Sequence, residues 1–309
     1  MTDNEVRIPT SVSPHAQQWL AMPKNVPSYP PRDDTDAWLA MIEQTDKAVV
    51  QRFLSVDLPV TTEDVVIDGV PVFVVRGPGV AADDRRIYLD FHGGGLITGG
   101  GAVARTMTGM AALSSGLTTW GVDYRMPPLH PYPAALDDAM TVYRKALEDH
   151  DPADVFVAGG SAGGNIAAAL VLRARDEGLP MPAALVLNTP EIDLTESGDS
   201  FHTNAAFDNI LGSLKEVNDL YAAGHDLAEP YLSPLFGDVT GFPPTFLRSG
   251  TRDLFLSNTV RMHRKLRAAG VEAALHIGEA MPHGGFAGAP EDHELDAELQ
   301  LFLNDHSRS

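Results

Sequence analysis

The rhythm of hydrophobic positions changes twice along the 309 residues. From about Asp36 to Phe53, the apolar residues Trp38, Ile42, Ala48, Val49 and Phe53 recur broadly at helical spacing, which predicts a helix lying on another surface. A proline-rich patch, Pro27-Ser28-Tyr29-Pro30-Pro31, precedes it. Residues 1–60 therefore read as an appendage to the main core. From Thr61 the pattern shortens into β-rich runs, Thr61 to Ile67 and Val70 to Arg76, flanking Asp68-Gly69, a dipeptide favoured in two-residue hairpin turns.

Beyond this hairpin, strand-like and helix-like runs alternate. Strands are predicted near Arg86 to Phe91, Thr118 to Val122, Asp154 to Ala158, Ala183 to Asn188, Thr245 to Ser249 and Glu272 to Ile277. Helices are predicted near Ala102 to Leu113, Ala134 to Glu148, Ala162 to Asp176 and Leu256 to Ala269. Uninterrupted apolar strands such as Ala184-Leu185-Val186-Leu187 have no polar face to turn to water, so the sheet should be mostly parallel and covered by helices on both sides. The expected class is α/β, with eight strands of which the first two form the hairpin. Glu191 to Pro244 breaks the alternation, and its helical part near Leu214 to Ala223 is a candidate lid.

Composition narrows the partners. With 44% hydrophobic and 21% charged residues the chain can bury a sizeable core, as one domain with an added subregion. Its 42 acidic and 22 basic residues give a formal charge of −20, a surface that repels phosphate backbones and anionic lipid. Neither nucleic acid nor membrane is an expected partner. The absence of cysteine excludes disulfides, thiolate metal sites and a cysteine nucleophile. Met1-Thr2-Asp3-Asn4-Glu5 has no basic region leading into an apolar stretch, and no apolar run approaches the roughly 18 residues a bilayer span needs, so the expected location is cytoplasmic.

The chemistry is concentrated where strands end. Gly159-Gly160-Ser161-Ala162-Gly163 lies between the strand-like Asp154 to Ala158 and the helix-like Asn165 to Leu172, the setting of a nucleophile elbow. Such a turn lifts the serine hydroxyl clear of the backbone and demands small neighbours. The third strand runs into His92-Gly93-Gly94-Gly95, the seventh into Gly250-Thr251-Arg252-Asp253, and the eighth region into Met281-Pro282-His283-Gly284-Gly285-Phe286. In an open α/β sheet these carboxyl-end loops can converge. Ser161 would attack an acyl carbon, His283 would move the proton, and Asp253 would orient and stabilise the imidazole. The N–H groups of Gly94, Gly95 and Ala162 would bind the oxyanion. Ser, then Asp, then His is the chain order of the α/β-hydrolase arrangement.

In these segments the sequence resembles the bacterial hormone-sensitive-lipase-like carboxylesterases. The likeness runs from about Tyr88 to Phe286 through His92-Gly93-Gly94-Gly95, Asp123-Tyr124-Arg125, His130-Pro131-Tyr132-Pro133-Ala134-Ala135-Leu136-Asp137-Asp138 and Ser161-Ala162-Gly163-Gly164-Asn165. Ser233-Pro234-Leu235 and Phe242-Pro243-Pro244 extend it. The resemblance implies an α/β-hydrolase fold with a helical cap built from residues 1–60 and an insertion at about 195–230, the catalytic domain occupying 61–309. Four positions depart from the family pattern: Gly160 stands where Asp or Thr is usual, Leu129 where Glu is common, Leu254 where Pro often follows the acid, and His283-Gly284-Gly285-Phe286 is one glycine longer.

Other residues have plainer readings. His92 and Gly93 are expected to brace the oxyanion loop, and His130 to organise its own loop; His276, His293 and His306 read as ordinary strand or helix positions. Asp238 and Glu279 compete with Asp253, but Asp253 alone immediately follows the seventh strand. The glycines from Gly93 to Gly101 lack the Gly-Lys-Ser/Thr of a phosphate cradle. Asp83-Asp84 and Asp137-Asp138 read as solvated faces, so neither metal nor cofactor is expected. The expected activity is hydrolysis of small, uncharged, short- to medium-chain carboxylic esters, and a homodimer is compatible with the sequence. Two alternatives stand beside it: a lactone hydrolase with the same triad, and a non-catalytic small-molecule receptor. Plant gibberellin receptors resemble this family but lack the catalytic histidine, so His283 favours an enzyme.

Overall fold

The computed structural model describes residues 7–24, 28–53 and 57–307; Met1 to Glu5, Pro27 and the side chain of Phe53, used in the sequence reading, lie outside what is described. The strands are β1 Thr61–Ile67, β2 Val70–Arg76, β3 Ile87–Phe91, β4 Thr118–Val122, β5 Val155–Gly160, β6 Ala184–Asn188, β7 Thr245–Gly250 and β8 Ala273–Gly278. The helices are α1 Pro14–Leu20, α2 Thr35–Phe53, α3 Ala102–Ser115, α4 Ala134–Asp149, α5 Ala162–Asp176, α6 Ser200–Thr203, α7 Lys215–Ala222, α8 Leu256–Ala268 and α9 Pro290–Asp305. Neither α1 nor α9 is among the elements expected from sequence.

All eight strands form one sheet in the order β1-β2-β4-β3-β5-β6-β7-β8. β2 pairs antiparallel with β1 and β4, and every later pairing is parallel. Asp68 and Gly69 take φ of 47° and 89°, the two positive values that a type I′ hairpin turn needs. The strand that leads to Ser161, β5, is therefore interior, with β3 and β6 paired on either side.

Side chains alternate across this sheet with a period of two, and both faces are covered. Ile87, Leu89, Phe91, Val155, Val157, Leu185, Leu187 and Leu247 join Leu136, Met140 and Tyr143 of α4 and Ile166 and Leu170 of α5 in one core. Tyr88, Phe156, Ala158, Ala184, Val186 and Phe246 face the other way, onto Leu299, Phe302 and Leu303 of α9. Fully burying one large apolar side chain is worth about 1.5–3 kcal/mol, so strands that are apolar at every position stabilise both layers.

Two smaller apolar clusters lie at the loops after the strands. Trp38 of α2 packs with Phe201 of α6, Leu214, Val217 and Leu220 of the α7 region, Ile97 of the glycine loop, and Leu254 and Phe255 beside Asp253. Val12, Ala16 and Leu20, in and beside α1, pack against Met281 and Phe286, which bracket His283. Ser13 fastens this contact, donating through its N–H and hydroxyl to Glu291 at 2.6 and 2.9 Å. No helix among the described residues is long and apolar enough to cross a membrane.

Candidate active site

β5 ends at Gly160, and the chain turns at Ser161 with φ 55° and ψ −120°, outside the conformations a side-chain-bearing residue ordinarily adopts. Holding such a residue costs of order 1–3 kcal/mol, and surrounding bonds must determine it. Here the Ser161 N–H donates to the Asn188 carbonyl at 2.9 Å, while its own carbonyl accepts from Gly164 and Glu191, both at 3.0 Å. The buried Asn165 amide donates to the Glu191 and Leu232 carbonyls, each at 2.8 Å, tying α5 to the chain beyond β6.

Close backbone approach explains the small residues around this turn. A Cβ on Gly163 would sit 1.8 Å from the Phe91 carbonyl oxygen and 2.8 Å from that of His92. Both are backbone atoms at the end of an interior strand, so they cannot step aside. Gly163→Ala is expected to cost about 3 kcal/mol or more, seen as a lower urea midpoint at unchanged slope, together with lost activity. A midpoint equal to that of the parent protein would refute the close-contact account.

The structure brings Ser161, His283 and Asp253 together from three separate loops. His283 Nε2 lies 2.9 Å from Ser161 Oγ, and His283 Nδ1 lies 3.0 Å from Asp253 Oδ1. Asp253 is fully buried and takes two further donors, the Ser249 hydroxyl at 2.6 Å and the Phe255 N–H at 2.9 Å. The Phe255 ring meets the imidazole edge-on at 4.9 Å between centroids. Burial by itself would push the imidazole pKa down; the Asp253 carboxylate, with Asp208 adding to it, outweighs burial and holds it above the ordinary histidine value.

The glycine loop lies against the serine. A Cβ on Gly93 would meet Ser161 Cβ at 3.4 Å, and Gly94, at φ 130°, has Thr98 backbone where a side chain would begin, 2.1 Å away. The N–H groups of Gly94, Gly95 and Ala162 donate to no acceptor among the described residues. His92 stacks on Tyr124 with centroids 4.2 Å apart, the Tyr124 hydroxyl donates to the His92 carbonyl at 2.7 Å, and burial keeps the imidazole pKa low. Asp46 of α2 accepts from the Gly99 N–H at 2.9 Å, anchoring the far side of the same loop.

Residues given plainer readings lie elsewhere or are already engaged. Asp238, Glu279 and His130 are exposed. Asp84 pairs with Arg86 and Asp137 with Arg173, while Asp138, expected on a solvated face, is instead buried and pairs with Arg125. The extra glycine of the histidine loop has a physical reason. A Cβ on Gly285, which sits at φ 91°, would come within 2.4 Å of Asp292 Oδ1. That carboxylate gathers the N–H groups of Phe286, Gly288 and Ala289 at 2.8–3.1 Å, folding the loop back onto α9. At Gly160 the nearest atoms to an added Cβ are 3.8 Å away, and nothing in the structure explains the glycine.

Sequence reasoning passed over two carboxylates near His283. Glu191 is 1% exposed, and neither carboxylate oxygen has a hydrogen-bond partner in good geometry; the nearby Asn218 amide donates one N–H to the Leu194 carbonyl. Burial pushes the Glu191 pKa up to about 8, so it is protonated at neutral pH. Asp208, also buried, approaches the loops of both Asp253 and His283.

A serine on a strained strand-to-helix turn, a histidine and a carboxylate from later strand ends, and a glycine loop beside them are the features of an α/β hydrolase. Residues 88–287 match the family model described as alpha/beta hydrolase fold. The chain belongs to this family, among the bacterial hormone-sensitive-lipase-like esterases. It is 33% identical over 206 residues to an acetyl-hydrolase of Streptomyces hygroscopicus, covering 66% of this chain and 69% of that one. It is 31% identical over 243 residues to the carboxylesterase NlhH of Mycobacterium tuberculosis, covering 74% and 76%. Among solved structures, esterase E25 superposes with a TM-score of 0.91 at 37% identity, covering 100% of this chain and 98% of that one. An esterase from the bacterial hormone-sensitive lipase family superposes with a TM-score of 0.82 at 30% identity, covering 95% and 98%.

Proposed function

We propose that this protein is a serine carboxylesterase that cleaves small, uncharged, short- to medium-chain esters through an acyl-serine intermediate. The observation that carries this reading is the continuous chain of contacts from Ser161 Oγ to His283 to Asp253, at 2.9 and 3.0 Å. As Oγ attacks the acyl carbon, its proton passes to His283 Nε2, and the charged imidazole is stabilised by Asp253. The carbonyl oxygen becomes an oxyanion facing the uncommitted N–H groups of Gly94, Gly95 and Ala162. Collapse breaks the ester C–O bond, and the departing alkoxide takes the proton from Nε2. Water then repeats the sequence on the acyl-serine and releases the acid.

Residues 1–60 and about 195–230 act as the cap. In support, Trp38, Phe201, Leu214 and Val217 form one apolar layer with Ile97, and Leu214 and Val217 come within 3.8 Å of where a Gly95 Cβ would be. An apolar ceiling this close to the oxyanion loop suits a compact acyl group, and the charge of −20 disfavours anionic esters. All three triad residues come from one chain, so the chemistry is complete in a single copy.

Turnover of p-nitrophenyl esters of graded acyl length, measured beside a panel of lactones, tests the reading. Rates should peak at short to medium chains and fall steeply for long ones. Higher kcat/KM on lactones would move the assignment to a lactonase, and ligand binding without turnover would move it to a receptor.

A further inference from the structure

α6 and the segment that follows it carry Ser200, Asn204 and Asp208 at four-residue spacing, and all three reach the loop that holds Asp253. The Ser200 hydroxyl donates to the Leu254 carbonyl at 2.7 Å and accepts from the Ser257 N–H at 2.9 Å. The Asn204 amide donates to the Asp253 carbonyl at 2.9 Å and the Thr251 carbonyl at 3.2 Å. Asp208 completes the row. Its Oδ2 accepts from the Leu254 N–H at 2.8 Å and, at a longer 3.3 Å, from the N–H of His283 itself. Its Oδ1 accepts from Ile210 and Leu211 at 2.9 and 3.1 Å, fixing the carboxylate to its own turn.

We propose that Asp208 is a positioning residue of the triad: one carboxylate oxygen, carried by the 195–230 insertion, joins the acid loop to the histidine loop and sets the Asp253–His283 distance. The residue after Asp253 makes the link available. Where proline often follows the acid in this family, Leu254 supplies an N–H that proline lacks. A carboxylate buried at this point without that donor would lose its shortest bond to either triad loop. Its charge has a second effect, since Asp208 joins Asp253 in favouring the protonated imidazole of His283. Among the described residues, Lys24 of the N-terminal segment also feels the Asp208 charge.

The inference rests on the triad reading and is tested by kinetics on two variants. Asp208→Asn keeps the shape but turns an amide toward two N–H donors, and Leu254→Pro removes one donor while keeping the charge. Displacement of a reacting group by about 1 Å costs on the order of 100-fold. Asp208→Asn should therefore lower kcat by about 10- to 100-fold with KM within about twofold, and should move the acid limb of the kcat/KM profile to lower pH. Leu254→Pro should lower kcat by a similar factor, and the double variant should be little worse than either single one. Circular dichroism at the assay temperature establishes that each variant is folded. Should Asp208→Asn fail to fold, Leu254→Pro reads the same link. Wild-type kcat in the folded variants, a loss confined to KM, fully multiplicative losses, or an unmoved acid limb in Asp208→Asn would overturn the proposal. Failure of the triad reading is separable: it appears as turnover retained by Ser161→Ala.

Discussion

Ser161→Ala is expected to lower kcat by about 10⁴- to 10⁶-fold, the range found when one member of a catalytic triad is lost. The substitution removes only the oxygen that would form the acyl intermediate. His283, Asp253 and the uncommitted N–H groups of the glycine loop stay in place, so substrate should still bind and KM should change little. Stability should hardly move, because the bonds that fix the turn use the Ser161 backbone rather than its hydroxyl. Ser161→Gly separates the two properties further. It should be equally inactive but at least as stable, since glycine takes φ 55° without strain. Steady-state kinetics on material free of wild-type enzyme, with thermal melts alongside, read both outcomes. Ester turnover within tenfold of the parent in Ser161→Ala would end the proposed mechanism.

Asp253→Asn is expected to cost about 10⁴-fold in kcat and to change the pH dependence as well. Asp253 Oδ1 takes the imidazole N–H and the Phe255 N–H, while Oδ2 takes the Ser249 hydroxyl. An asparagine can turn its amide toward Ser249, whose hydroxyl can rotate and accept, so the fold should survive. The negative charge does not survive, and the imidazolium formed in the transition state loses its main stabilisation. In the parent enzyme the raised His283 pKa places the acid limb of kcat/KM above about 6.5, because only the neutral imidazole accepts a proton. Without the Asp253 charge, burial acts with less opposition and the limb should move down. The sign for stability is separate. A histidine with a raised folded-state pKa stabilises the fold most below its unfolded value, and this contribution is lost as pH rises through the folded value. A limb that stays in place in Asp253→Asn would show that another group governs it.

What could be read from sequence is what residue type encodes. Val155 to Ala158 and Ala184 to Leu187 are apolar at every position, and they prove to be buried on both faces of the sheet. Asp68-Gly69 marked its turn because few other pairs accept two positive φ values. The structure places Ser161, Asp253 and His283 within hydrogen-bond reach, and each was legible because a Ser-His-Asp triad would require that residue type at a strand end. α9 left a signal that was passed over: Leu295, Leu299, Phe302 and Leu303 recur at helical spacing behind the acidic start Pro290-Glu291-Asp292. Asp208 and Asp292 left none. Their partners are backbone N–H groups, which every residue but proline carries, so no pattern of letters distinguishes them from solvated acids. Glu191 misleads for the opposite reason. It reads as a loop carboxylate, yet burial has removed its water and most of its acidity.

The row formed by Ser200, Asn204 and Asp208 bears on how this enzyme can be re-engineered. Exchanging residues 195–230, proposed to be a cap insertion, between relatives is an attractive route to new substrate preferences, since the sheet and the loops of Ser161, Asp253 and His283 would remain the host's own. In this chain the exchanged piece would carry the hydrogen-bond partners of Thr251, Asp253, Leu254 and Ser257 away with it. A donor insertion chosen only for its apolar lining would deliver a new pocket above a loosened acid loop. Chimeras at this junction should be designed with the three side chains transplanted as a unit, or with a host whose acid loop has proline in place of Leu254 and has never relied on the link.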